Sequence, residues 1–311
     1  MTQTAFYSRI SRRAFISAIA AGAGLISLPW SIRYAIGGDS LYSAIAFDGD
    51  ALIVAHGTLI RKKEGETWAS LPISAEAEGE VTTLTTHPAL PGRIIAGLTT
   101  GGIAISEDGG HSWTRRGQDL PKAVVTAATV AAGNPDTLYA AIRGDGLWQS
   151  NDAGRSWTFA MDRPWLTDAE HDLTALASVD LATGMGGIWI YAGTETGVTR
   201  VPDCFCRWQD VQSNNAMNAL VSETPQPKLK PLPDGEAVIA LISAVSHPSR
   251  LYAALPSGIW VSDDAGLNWS NRTSQYAMAL AVHPVNSNFV VAGTGNGLIQ
   301  SNDGGLTWTA Y

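Results

Sequence analysis

Short apolar runs of about four to seven residues recur from Leu41 to the end of the chain, separated by polar turns rich in Gly and Pro. Runs this short, rich in Val, Ile, Thr, Tyr and Trp and bounded by turn residues, predict strands rather than helices. The runs come in sets. A set holds an apolar run, a turn that often contains Pro, a second run often ending Ala-Gly, a Gly turn, a third run, a polar octapeptide and a last short strand. Six sets can be laid out: Leu41 to Pro72, Glu80 to Pro121, Ala123 to Pro164, about Asp172 to Ser213, Glu236 to Ser274, and Tyr276 to Tyr311. Repeats of about 40 residues, each four short strands, predict the blades of a β-propeller. The expected fold is therefore all-β, a single propeller of six four-stranded blades over residues 41–311.

The polar octapeptide fits Ser-x-Asp-x-Gly-x-x-Trp four times: Ser106, Asp108, Gly110 and Trp113; Ser150, Asp152, Gly154 and Trp157; Ser262, Asp264, Gly266 and Trp269; Ser301, Asp303, Gly305 and Trp308. Each copy follows one strand-like run and precedes another, which puts it in a hairpin turn. An Asp there can accept bonds from the backbone N–H groups ahead of it. The Gly can adopt a backbone conformation costly for other residues, and the Trp buries a large ring with one N–H to satisfy. These roles are structural, and copies on different blades cannot meet as one metal or acid–base cluster. Two further copies are decayed, RKKEGETW ending at Trp68 and VPDCFCRW ending at Trp208. The six Trp positions lie 45, 44, 51, 61 and 39 residues apart, and the wide gap holds a Pro-rich polar insertion at about 214–234.

The octapeptides resemble the Asp-box, or BNR repeat, of β-propellers, and the resemblance spans about residues 41–311. That group includes sialidases, sortilin-type receptors, some glucanases and photosystem II stability/assembly factors. The assembly factors are most similar in layout, being single propellers at a membrane. The motif specifies a fold element and leaves function open.

Composition agrees with an all-β protein: 32 Gly, 11 Trp and only 15% charged residues. The charge is uneven. Residues 1–38 hold four Arg and no acid, and the remaining 273 hold 16 basic and 28 acidic residues, a net of −12. An acidic body speaks against a nucleic-acid partner, whose phosphates need Lys and Arg. Arg12-Arg13 followed by the apolar stretch Ala14 to Trp30 resembles a twin-arginine export signal. Uncleaved, the same segment would anchor the protein to a membrane, with the body outside the cytoplasm. Residues 1–38 are thus expected to be a signal or anchor, and the protein to be exported, periplasmic or at the cell surface.

No cofactor or metal is expected. His87, His247 and His283 each precede Pro at the same place in their sets, which marks them as turn residues; His56, His111 and His171 have no ligand spacing. Cys204 and Cys206 lack partners for a Zn site, leaving free thiols, a local bridge or a redox-active bridge. The turns between second and third strands, together with the blade-to-blade connections, share one face. They offer Arg143, Asp145, Trp165, His171 and Glu195 as a partner-binding patch, with Arg115, Arg116, Asp162 and Arg163 nearby.

Two function classes follow. One is a non-catalytic propeller that binds a protein partner, with a membrane complex as the expected kind. The other is a glycoside hydrolase or glycan binder. Resemblance to sialidases would imply three Arg on the substrate, a Tyr–Glu pair and an Asp, with the first Arg in Arg-Ile-Pro on an early strand. Leu41 to Phe47 contains no Arg, and Arg93-Ile94-Ile95 lies on a second strand.

Overall fold

The computed structural model describes residues 42–73, 77–166, 168–184, 186–211 and 229–311. The expected signal or anchor, and residues 214–228 of the expected insertion, lie outside them.

The described chain forms six antiparallel four-stranded sheets, each built from consecutive strands. The first blade is Ala44–Asp48, Ala51–His56, Leu59–Glu64 and Thr67–Pro72. The second is Val81–Thr86, Ile94–Leu98, Ile103–Ser106 and Thr114–Arg116. The third is Val125–Ala131, Asn134–Ile142, Gly146–Ser150 and Thr158–Asp162. The fourth is Ala175–Val179, Trp189–Gly193, Val198–Pro202 and Gln209–Asp210. The fifth is Ala240–Ala244, His247–Leu255, Gly258–Ser262 and Ser270–Thr273. The sixth is Ala277–Val282, Val290–Thr294, Gly297–Ser301 and Thr309–Ala310. First strands of successive blades abut in a ring, and the sixth abuts the first. The protein is a six-bladed β-propeller.

The burial pattern explains the apolar runs. Second strands such as Ile94–Leu98 and Trp189–Gly193 are buried along their whole length, because a blade packs on each face. Outer strands such as Thr158–Asp162 are exposed or half-buried. Buried or half-buried hydroxyls cross to the next blade: Thr82, Thr126 and Thr174 each donate to a carbonyl there, of Val125, Leu173 and Val238, at 2.6 Å. Tyr191 and Tyr252, wholly buried rings, donate to the Ala265 and Ser287 carbonyls of the following blades at 2.8 and 2.6 Å. Polar groups taken from water thus find partners.

Closure uses side chains. Among the described residues, the first and sixth blades each complete four strands without sharing one. Ile45, Phe47, Leu52 and Val54 of the first blade form one cluster with Ala279, Ala281 and Val291 of the sixth. The Phe47 ring meets the His283 ring at 5.2 Å. His283 Nε2 lies 2.9 Å from Asp50.

Two local expectations are modified. His87 and His283 sit in turns, but His247 begins a strand opposite Ala244, because that hairpin closes with two residues, Val245 and Ser246. The described end of the insertion is also more than a surface excursion. The Lys230 carbonyl accepts the Trp269 backbone N–H at 2.7 Å, and Leu232 is buried in the core of the fourth and fifth blades.

Candidate functional site

The four intact octapeptides share one geometry. In the second blade, Ser106 Oγ donates to Asp108 Oδ1 at 2.8 Å and accepts the Gly110 N–H at 2.8 Å. Asp108 accepts the Ser112 N–H at 2.9 Å and the Ser112 hydroxyl at 2.6 Å. The Trp113 indole N–H closes back on the Gly110 carbonyl at 3.0 Å. The same bonds recur around Asp152, Asp264 and Asp303, with Asn268 and Thr307 replacing the Ser at the equivalent donor position in the last two. The fourth motif position donates its N–H to a carbonyl of its own blade in every copy, at 2.8–2.9 Å: Gly92 and Asn288 just before the second strand, Asp136 and Ser249 in that strand's first residues. The motif Gly needs positive φ, +97° at Gly110, where a Cβ would also strike Leu71 Cδ1 of the first blade at 2.4 Å. Hydrogen bonds from the Ser156 and Thr307 side chains and backbone hold Asp152 and Asp303 down at about 2. At Asp264 burial works the other way, yet the bonds from Asn268 and Ser262 still lower it.

The fourth blade keeps its hairpin differently. Cys204 and Cys206 form a disulfide. Phe205 between them has φ +51° and puts its ring 5.8 Å from Tyr139 of the third blade. The Trp208 indole donates to the Asp162 carbonyl, also of the third blade, at 2.7 Å. Among the described residues, no group of three or more His, Cys, Asp or Glu is placed to hold a metal.

Antiparallel order puts the motif hairpins at one end of each blade. It puts the second-to-third-strand turns and the blade connections at the other. On that second face a small hairpin, Trp165–Leu166 paired with Ala169–Glu170, rises between the third and fourth blades. Trp165 is 68% exposed. Arg163 braces the hairpin base by ion pairs to Glu170 and, at 3.2 Å, to Asp172. Asp172 also accepts the Gly144 N–H at 2.9 Å, which ties the hairpin to the Arg143–Asp145 turn. His171 Nε2 lies 3.0 Å from the Leu166 carbonyl, so that nitrogen carries hydrogen. Asp145 accepts the Trp148 indole N–H at 2.6 Å, and the half-buried Arg143 donates its backbone N–H to Val124 at 3.0 Å.

The structure therefore brings Arg143, Asp145, Trp165 and His171 into one braced region. Glu195 stands apart, exposed on the fourth blade's turn. Arg116, expected nearby, instead turns toward the motif end, where it donates to the Ala153 carbonyl at 2.6 Å and faces Glu107 at 3.6 Å. Sequence reasoning missed the brace. Its trace is the spacing of Arg163, Glu170 and Asp172 around Trp165. It also missed the grouping of Arg61, Lys63, Trp68 and Tyr311, whose members lie at the two ends of the propeller sequence.

No family model matches the chain, and no curated protein matches it. Solved structures do. A GH74 enzyme from Niastella koreensis superposes with TM-score 0.61 at 18% identity, over 88% of this chain and 45% of its own. A GH74 xyloglucanase from Xanthomonas campestris gives 0.51 at 19% identity, over 85% and 45%. YCF48 bound to D1 peptide gives 0.51 at 16% identity, over 87% and 82%. The chain thus spans less than half the length of the two GH74 enzymes and most of YCF48. At these identities the likeness establishes the fold: the chain is similar to β-propellers that include glycoside hydrolases and a peptide-binding protein.

Proposed function

We propose that this chain is an exported, non-catalytic propeller that binds a protein partner through the face carrying the Trp165 hairpin, and that it serves the assembly or stability of a membrane complex. The observation that carries the reading is Trp165 itself. A Trp 68% exposed, on a hairpin fixed by Arg163, Glu170 and Asp172, is a preorganised apolar anchor within a polar rim. Preorganisation lowers the ordering cost of association. A hydrolase reading needs two carboxylates facing a bond across a defined gap, whereas Glu170 and Asp172 are both engaged by Arg163. YCF48, solved with a bound peptide, supports a protein ligand by analogy of fold. The octapeptides support membership of the Asp-box propellers. The Arg12-Arg13 pair and the following apolar stretch support export, which intact-mass measurement of the mature protein checks.

The test is affinity capture from solubilised membranes with the wild type and with Trp165→Ala, alongside turnover assays on xyloglucan and sialosides. A membrane protein recovered by the wild type and lost with Trp165→Ala is the expected result. Glycan turnover with no recovered partner overturns the reading.

A further inference from the structure

A pocket of about 180 Å³ lies at the closure seam, where the sixth blade meets the first. Tyr42, Trp68 and Tyr311 supply its rings, Leu298 an apolar wall, and Arg61 and Lys63 its charges. Arg61 and Lys63 are two apart on the strand Leu59–Glu64 and so point to the same side. Lys62, between them, points to the other side and is neutralised by Asp48 and Glu64, both at 3.1 Å. Arg61 and Lys63 make no ion pair among the described residues. Instead the Arg61 guanidinium carbon stands 5.2 Å from the centre of the Trp68 ring, and the Lys63 ammonium 4.5 Å from that of Tyr311.

Two other seams differ, that of the second blade with the third and that of the fifth with the sixth. There, cations that reach the next blade end on an oxygen: Arg93 on Asp136, Arg116 on the Ala153 carbonyl, Arg250 on Asn288. Two like charges side by side on a strand repel, and ring faces offset this only in part. Here the pair persists in a body whose net charge is otherwise strongly acidic.

We propose that this seam pocket binds a short-chain carboxylate, with Arg61 and Lys63 clamping the carboxylate and the rings and Leu298 taking the methylene chain. The planar guanidinium matches the two oxygens of a carboxylate, and the ammonium adds a point charge. The pocket, about 180 Å³ and partly open to solvent, admits a ligand of a few carbons. A free dicarboxylic acid and the side chain of a glutamate in a peptide share this chemistry. This site is separate from the Trp165 face and does not depend on the protein-binding reading.

The test is calorimetry on the full-length protein at matched ionic strength, with glutarate, N-acetyl-glutamate amide and its neutral isostere N-acetyl-glutamine amide as probes. Binding of at least one acid, about tenfold or more tighter than the glutamine compound, is expected. That preference should vanish in Arg61→Gln/Lys63→Gln and persist in Lys122→Gln, a control on a distant exposed lysine. Glutarate alone assigns a free acid, and the glutamate compound alone assigns an acidic side chain. Should the double variant not fold, Lys63→Met and the acid-versus-amide comparison on the wild type still decide. Equal binding of the glutamine compound, no binding of either acid, or unchanged affinity in the variant overturns the proposal.

Discussion

Gly293 and Tyr42 meet across the closure seam so closely that a β-carbon added to Gly293 would stand 3.0 Å from Tyr42 Cβ, and equally close to Ile45 Cδ1. The same device appears at other seams. A β-carbon on Gly97 would meet Val125 Cγ1 at 2.8 Å, and one on Gly193 would meet Val238 Cγ1 at 2.6 Å. The recurrent Ala-Gly endings of second strands are places where the following blade, or the chain leading into it, packs against the backbone.

Replacing Gly293 with Val should therefore wedge open a seam held by side chains. Overpacking of this kind costs about 1–3 kcal/mol, read as a lower midpoint in chemical denaturation. Gly295→Ala, where an added β-carbon meets nothing within 4 Å, should leave the midpoint nearly unchanged. Equal effects of the two substitutions would refute close packing at Gly293.

The motif serine concentrates several bonds in one hydroxyl. Ser150 is 1% exposed, donates to Asp152 at 2.8 Å and accepts the Gly154 N–H at 2.8 Å. Ser150→Ala leaves that buried N–H without its acceptor, at a cost of about 1–3 kcal/mol. Denaturant unfolding measures it, and a loss well under the lower figure would mean that water or a shift of the hairpin replaces the hydroxyl.

Acid should loosen the blades through the motif aspartates. Hydrogen bonds from Ser156 and Thr307 depress Asp152 and Asp303 from 3.8 to about 2 in the folded protein. A depressed carboxylate stabilises the fold above its unfolded pKa, and that stability is lost as pH falls through the folded value. The melting temperature should decline between about pH 4 and pH 2. Asp303→Asn should weaken that decline, and a variant as acid-sensitive as the wild type would count against this origin.

The blades were legible in the sequence because a hairpin is written locally. Asp303 reaches only as far as Thr307, so eight residues contain the whole device. The hairpin of Trp165 and the pocket of Arg61 were not legible for the opposite reason. Arg163 finds Asp172 nine residues on, outside any repeat period. Tyr311 meets Lys63 across the length of the propeller sequence. Arg116 shows the remaining limit: expected on a blade-to-blade connection, it ends the strand Thr114–Arg116, and its flexible side chain goes where an acceptor is, here the Ala153 carbonyl.

One comparison separates the work proposed for the two faces of the propeller. Trp165, 68% exposed, stands on the connection face, and Leu306, 62% exposed, on the motif face. The dissociation constant of the captured partner is measured for the wild type, Trp165→Ala and Leu306→Ser, with melting temperatures to confirm folding. A loss of about tenfold or more is expected for Trp165→Ala, as for an aromatic anchor buried on binding, and no change for Leu306→Ser. Wild-type affinity in Trp165→Ala, or a selective loss in Leu306→Ser, would overturn the assignment of the partner to the Trp165 face.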